Sequence, residues 1–232
     1  MSRMLSRHVY GFTMNTTDTR KDHFSPTREE FCQFCHLLYD RHLSAGVGGN
    51  VSARAGKSIW LTPSGYSMRE IQPHNITVVD LQGRLIQGET PTKEANMHLG
   101  VLRARPDINV IFHLHGPYII SATTLLEPGP DTLPPLTPGF IYYAFPLTML
   151  PFRIPGSPTL AEDVTRALSA GDRASAVFLQ NHGLVTAGKD FPEALNIAEE
   201  IDEAARVYVL TGGTAPPLSV EDIDKIRSLR QD

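Results

Sequence analysis

The sequence predicts an α/β fold, a single domain in which a central, mainly antiparallel sheet is covered by helices. Three observations lead there. Short apolar runs bounded by turn residues are interleaved with longer amphipathic stretches, so strand and helix signals alternate along the chain. The 232 residues can bury one sizeable core, a length ordinary for one α/β domain. No repeat or low-complexity tract divides the chain, and the proline-rich stretch 128–138 reads as a loop because no independent core follows it.

Residues 1–25 lack periodicity and are expected to form a mobile N-terminal arm, with the domain spanning 26–232. Ser25-Pro26-Thr27-Arg28-Glu29-Glu30 signals a helix start, because Pro suits the first turn and the acids complement the helix dipole; that helix is expected to reach Leu43. Cys32 and Cys35 fall within its amphipathic pattern and read as packing residues, since no second Cys-x-x-Cys exists to complete a four-cysteine site. A glycine-rich exit at 44–49 leads to strands at 51–54, 58–61 and 77–80, and Leu81-Gln82-Gly83-Arg84 reads as a hairpin turn into Leu85 and Ile86. A helix over 95–105 is bounded by Pro106, and Thr92 is its expected N-cap. Further on, the pattern predicts a strand through 108–115, a helix over 159–170 and a strand at 176–179. Phe191-Pro192-Glu193 then opens a long helix that Gly212-Gly213 stops near Leu210, and a short helix lies within 219–230.

The chemistry concentrates on histidine. In Phe112-His113-Leu114-His115-Gly116 the period of two puts both imidazoles on one face of a strand while Phe112 and Leu114 fill the other. A third histidine recurs in Gln180-Asn181-His182-Gly183-Leu184, after another buried-looking strand. Three imidazoles from two strand ends, with a fourth position open or lent to a carboxylate, suit a catalytic divalent metal: zinc first, manganese or cobalt as alternatives. His115 is followed by Gly116-Pro117-Tyr118, so the His-x-His-x-Asp-His pattern of a paired-metal hydrolase is missing. Around the histidines stand Gly48-Gly49-Asn50-Val51-Ser52, Leu61-Thr62-Pro63-Ser64-Gly65 and Pro91-Thr92-Lys93-Glu94. These are rich in glycine and hydroxyl residues that can form an anion nest.

These five motifs, in this order and spacing over residues 28–212, resemble the class II aldolase/adducin family. Within it, Pro-Thr-Lys-Glu followed by His-Leu-His and Leu136-Thr137-Pro138 is most similar to the 3-oxo-tetronate 4-phosphate decarboxylase branch. The resemblance implies a three-layer class II aldolase-like fold and one divalent metal per subunit on His113, His115 and His182, approached by Glu94, which moves protons. It places the substrate phosphate at Gly49, Asn50, Ser64, Gly65 and Thr92. Lys93 stands where the sugar-phosphate aldolases carry serine, and supplies a compact positive charge for phosphate or carboxylate. Tyr208 matches a tyrosine that reaches a neighbouring site in a four-fold homotetramer, whereas the second aldolase tyrosine has no clear counterpart, only the displaced Tyr142 and Tyr143. His98, on the face of Glu94, reads as a packing residue or a support behind the ligands.

The implied activity is carbon–carbon cleavage of a small, phosphorylated sugar acid, with decarboxylation favoured. Both CO₂ loss from a β-keto acid phosphate and retro-aldol cleavage of a ketose phosphate leave an enediolate, so ketose-1-phosphate aldolase is the alternative. Decarboxylation of an aromatic or pyridine carboxylic acid, and a non-catalytic adducin-like module, complete the set. A net charge of −4 without a basic stripe argues against nucleic acid as a partner. Residues 1–20 contain no apolar signal segment and no stretch is long enough to span a membrane, so the sequence reads as cytoplasmic.

Overall fold

The computed structural model describes residues 24–171 and 174–229; the expected arm lies, up to residue 23, outside the described residues. The first helix, α1 (Arg28–Asp40), starts later than Ser25-Pro26 suggests because Thr27 caps it, its hydroxyl accepting from the Glu30 amide at 3.0 Å. It ends short of Leu43 because His42 adopts a left-handed φ of 59° and the Leu43 amide turns back to the Leu38 carbonyl.

An antiparallel meander follows: β1 (Asn50–Ala55), β2 (Ser58–Leu61), β3 (Thr77–Asp80) and β4 (Leu85–Gln87), with the expected turn at Asp80–Arg84. Helix α2 (Ala95–Ala104) leads to β5 (Val110–Leu114), then to α3 (Pro117–Leu125) and α4 (Pro138–Tyr143). β6 (Thr148–Leu150), α5 (Pro158–Leu168), β7 (Ala176–Leu179), β8 (Gly183–Gly188), α6 (Phe191–Leu210) and α7 (Val220–Ser228) complete the order. The strands form one eight-stranded sheet, β4-β3-β2-β1-β5-β8-β7-β6, antiparallel throughout except for the β6–β7 pair.

Helices cover both faces, giving three layers. On one side Phe112 and Leu114 of β5 share a core with Phe31 and Leu38 of α1 and Phe191 and Ile201 of α6. Phe191 anchors this aromatic core, stacking on Phe34 at 4.8 Å and meeting Phe31 edge-on at 6.2 Å. On the other side α2 and α5 bury Leu99, Leu102, Leu160 and Val164 against Ile111 and Val185. The alternation along β5 therefore holds as expected, and His113 shares the face of Ile111. Cys32 and Cys35 are buried free thiols of the first core, and burial pushes Cys32 up to about 11.

Antiparallel pairing brings five motif segments to one end of the sheet. β1 begins at Asn50, opposite His113; β5 ends at Leu114, opposite Leu184 of β8; β7 ends at Leu179, opposite Gly183; and β2 ends at Leu61. The segment 90–94 is tied to the same rim, because Ser64 donates to the Thr90 carbonyl and Thr92 to the Thr62 carbonyl.

Candidate metal centre

The imidazoles of His113, His115 and His182 converge. The Nε2 atom of His113 lies 2.9 Å from that of His115 and 3.2 Å from that of His182. His182 reaches the cluster from a tight turn in which Asn181 takes a left-handed φ of 53°. The Nδ1 atom of His113 donates to the Leu184 carbonyl at 3.1 Å, which fixes the ring with its Nε2 directed at the other two rings and at Glu94.

Burial pushes His115 down to about 3 and His182 down to about 4, with neighbouring His113 adding in the same direction. The neutral rings of His115 and His182 each have one nitrogen with a free lone pair to offer a cation. A metal bonded at about 2.0–2.1 Å to tetrahedral ligands sets them roughly 3.3 Å apart, near the two separations from His113, and all three ligand atoms lie within 4.8 Å of one another. The donor set therefore fits a divalent cation, the metal that class II aldolases use.

Glu94 closes the cluster. Its Oε2 lies 3.0 Å from His113 Nε2 and accepts from the Asn50 amide at 3.0 Å, while Oε1 is buried, has no hydrogen-bond partner among the described residues and lies 3.8 Å from His182. Burial pushes its carboxyl up, but His113, the Asn50 hydrogen bond and His182 outweigh that and hold it well below the usual carboxylate range. This position corrects the expected capping arrangement. Helix α2 starts at Ala95 with Glu94, not Thr92, as N-cap residue, and the Thr92 hydroxyl makes only a 3.4 Å contact with the Glu94 amide.

Behind Glu94 lies a chain that sequence reasoning saw only in part. His98 is fully buried, its Nε2 against Asn50 Oδ1 and its Nδ1 2.8 Å from the Ser52 hydroxyl. Ser52 closes the Gly-Asn-Val-Ser motif, but nothing in the sequence pairs it with His98 beyond its place two residues after Asn50 on β1. Both ends of the Asn50 amide are thus engaged inside the chain.

Two glycines of the motifs, Gly48 and Gly183, clear space for His115, a role that the motifs alone do not give. A Cβ on Gly48 would come within 2.7 Å of His115 Nδ1, and one on Gly183 within 2.9 Å of His115 Cδ2 and 2.2 Å of the Leu114 carbonyl. At Gly49 the φ is +74° and a side chain would strike the His113 carbonyl at 2.8 Å. Gly65, with φ +83°, has open space around it, and Ser64 and Thr92 are held beside it by the hydrogen bonds to Thr90 and Thr62.

Lys93 is exposed; its backbone lies against Gly156. Tyr208 packs half-buried against the first core, its ring against Gly213. Tyr142 lines a cavity of about 620 Å³ bordered by α4, α5 and α7, and Tyr143 packs on the core.

The family profile described as Class II Aldolase and Adducin N-terminal domain matches residues 29–209, and the chain belongs to the class II aldolase/adducin family. It is an enzyme of the lyase class. Among curated relatives, 3-oxo-tetronate 4-phosphate decarboxylase of Haemophilus influenzae is 31% identical over 189 residues, covering 80% of this chain and 88% of the relative. L-fuculose phosphate aldolase of Methanococcus maripaludis is 35% identical over 182 residues, covering 78% and 96%. The crystal structure of YgbL from Klebsiella pneumoniae superposes with a TM-score of 0.79 at 31% identity, covering 86% of this chain and 97% of that one. No helix among the described residues is long and apolar enough to cross a membrane.

Proposed function

We propose that this chain is a metal-dependent 3-oxo-tetronate 4-phosphate decarboxylase, built as one domain over residues 26–232 and working in the cytoplasm. The observation that carries the reading is the convergence of three imidazoles on a carboxylate whose Oε1 is buried and, among the described residues, unpartnered. His113, His115 and His182 would hold the ion, with Glu94 beside it; zinc is the first candidate and manganese or cobalt the alternatives. Such an ion supplies Lewis-acid withdrawal of electrons from a carbonyl–hydroxyl pair.

Glu94, held ionised and fixed at Oε2 by Asn50, has Oε1 free to take a substrate hydroxyl proton and deliver it to the carbon that loses CO₂, and one proton from solvent then restores the hydroxyl. Gly49 and Gly65 offer backbone amides and Ser64 and Thr92 offer hydroxyls to the phosphate, and Asn50 borders them. Lys93 supplies positive charge for the substrate carboxylate. Tyr208 would complete a neighbouring subunit's site in a homotetramer. Lys93, together with Tyr142 and Tyr143 lying on the cavity and core side of α4, supports decarboxylation over aldol cleavage.

The second reading, a ketose-1-phosphate aldolase, draws on the 35% identity to L-fuculose phosphate aldolase. Product profiling over 3-oxo-tetronate 4-phosphate, ketose 1-phosphates and unphosphorylated aromatic acids separates the readings. CO₂ release from the first alone supports ours, and cleavage of the ketose phosphates alone overturns it. Lys93→Ser is expected to weaken turnover of the acid by about 1.5–3 kcal/mol, the worth of a charge-assisted hydrogen bond, with metal content unchanged. Unchanged decarboxylation by that variant removes Lys93 from the site. Combined His113, His115 and His182→Ala must abolish both metal binding and lyase activity.

A further inference from the structure

We propose that His98 is a positioning residue that fixes the orientation of Glu94 through the Asn50 amide, an inference that rests on Glu94 being the proton-moving group. His98 stands one helical turn after Glu94 on α2 and spans Asn50 and Ser52, two residues on one face of β1. Its two ring nitrogens each meet one of them.

The polarity of every link follows from which atoms can donate. Glu94 Oε2 only accepts, so the Asn50 atom facing it is the amide nitrogen. Asn50 Oδ1 then faces His98 and only accepts, so His98 Nε2 carries a hydrogen. Burial pushes the imidazole down to about 3, so the ring is neutral, Nδ1 is a bare lone pair, and the Ser52 hydroxyl donates to it. The chain runs in one direction, from Ser52 through His98 and Asn50 to Glu94.

A flipped Asn50 amide would set its oxygen against the carboxylate and its NH₂ against the hydrogen on Nε2. His98 forbids that flip. With His98 absent, Asn50 Oδ1 loses this partner, the amide can rotate, and Glu94 loses the donor that holds Oε2 while Oε1 stays free. A mere brace between α2 and β1 would contribute stability but would not set a tautomer or couple to Asn50.

Nitrogen-15 NMR of the full-length protein at pH 7 reads the tautomer without any substrate: a protonated Nε2 and bare Nδ1 on His98 are expected, and the opposite tautomer overturns the proposal. In the metal-loaded enzyme acting on 3-oxo-tetronate 4-phosphate, His98→Phe is expected to lower kcat about tenfold, the order of one lost hydrogen bond, at unchanged KM and metal content. His98→Gln, which can still donate to Asn50, should recover most of that loss. His98→Phe should add nothing to Asn50→Ala, because both break the same link. Independent, multiplying losses in the double variant overturn the proposal. If His98→Phe does not fold, Ser52→Ala takes its place: because Asn50 Oδ1 still requires the hydrogen on Nε2, a retained Nε2-protonated tautomer supports the chain, and a shift to the other tautomer overturns it. Full activity of Glu94→Gln would instead remove the reading of Glu94, leaving the tautomer result to stand by itself.

Discussion

Gly48→Ala tests whether the glycines beside the histidines exist to let His115 reach the ion. Gly48 has no left-handed φ, so alanine is tolerated by its backbone, but the new Cβ would sit 2.7 Å from His115 Nδ1 and 3.2 Å from the Ala45 carbonyl. Ordinary contact begins near 3.4 Å, so the ring must retreat by about 0.7 Å, several times the roughly 0.2 Å within which metal–ligand distances hold. Losing one well-placed ligand geometry costs on the order of 10–100-fold in affinity, or about 1.4–2.7 kcal/mol. Competition for zinc against a chromophoric chelator measures this directly on the metal-free protein. Gly46→Ala is the control. Its φ of +58° strains alanine by about 1 kcal/mol, yet its Cβ meets nothing within 4 Å, so it should lower Tm and leave zinc affinity alone. Wild-type zinc affinity in Gly48→Ala would refute the argument that this glycine clears the ring.

Glu94→Gln should retain metal on the three histidines and lower kcat by about 10²–10⁴-fold, the range for loss of a general acid–base group; steady-state kinetics with metal analysis checks both. Acid should destabilise the metal-free protein. His98 has a folded value near 3 against 6.5 unfolded, so the unfolded chain binds the extra proton, and stability complete above pH 6.5 is lost as pH falls toward 3. That loss is about 1.4 kcal/mol per pH unit for this histidine, and equal urea midpoints at pH 7.5 and pH 5 would count against it. Phe191→Ala should cost about 3–5 kcal/mol in thermal or urea unfolding, because the buried ring packs on Phe24, Phe31, Phe34 and Phe112 together. A Tm within 2 °C of wild type, on the scale of about 2–4 °C per kcal/mol, would contradict that packing.

What the amino-acid sequence determined by itself is whatever depends on short-range period and steric preference. β2, β3, β7 and the long α6 fall where alternation, turn residues and caps place them, and His113 with His115 share one side because a strand repeats every two residues. Pro117–Leu125 and Pro138–Tyr143 escaped because short helices with buried faces offer too few residues to show a 3.6 period, and one directly follows a strand of similar apolar character. Tertiary structure alone decided which distant segments meet. His113 and His182 are 69 residues apart and become neighbours only through the β5–β8 register, and Asn50 reaches Glu94 and His98 because β1 pairs with β5 beneath α2. The N-cap shows the same division: Thr92 has the right chemistry for a helix start, but tethering to Thr62 leaves the helix to begin after Glu94. Local propensities act over a few residues, whereas the centre exists only once the sheet has closed and buried its polar groups against one another, where each must find a partner.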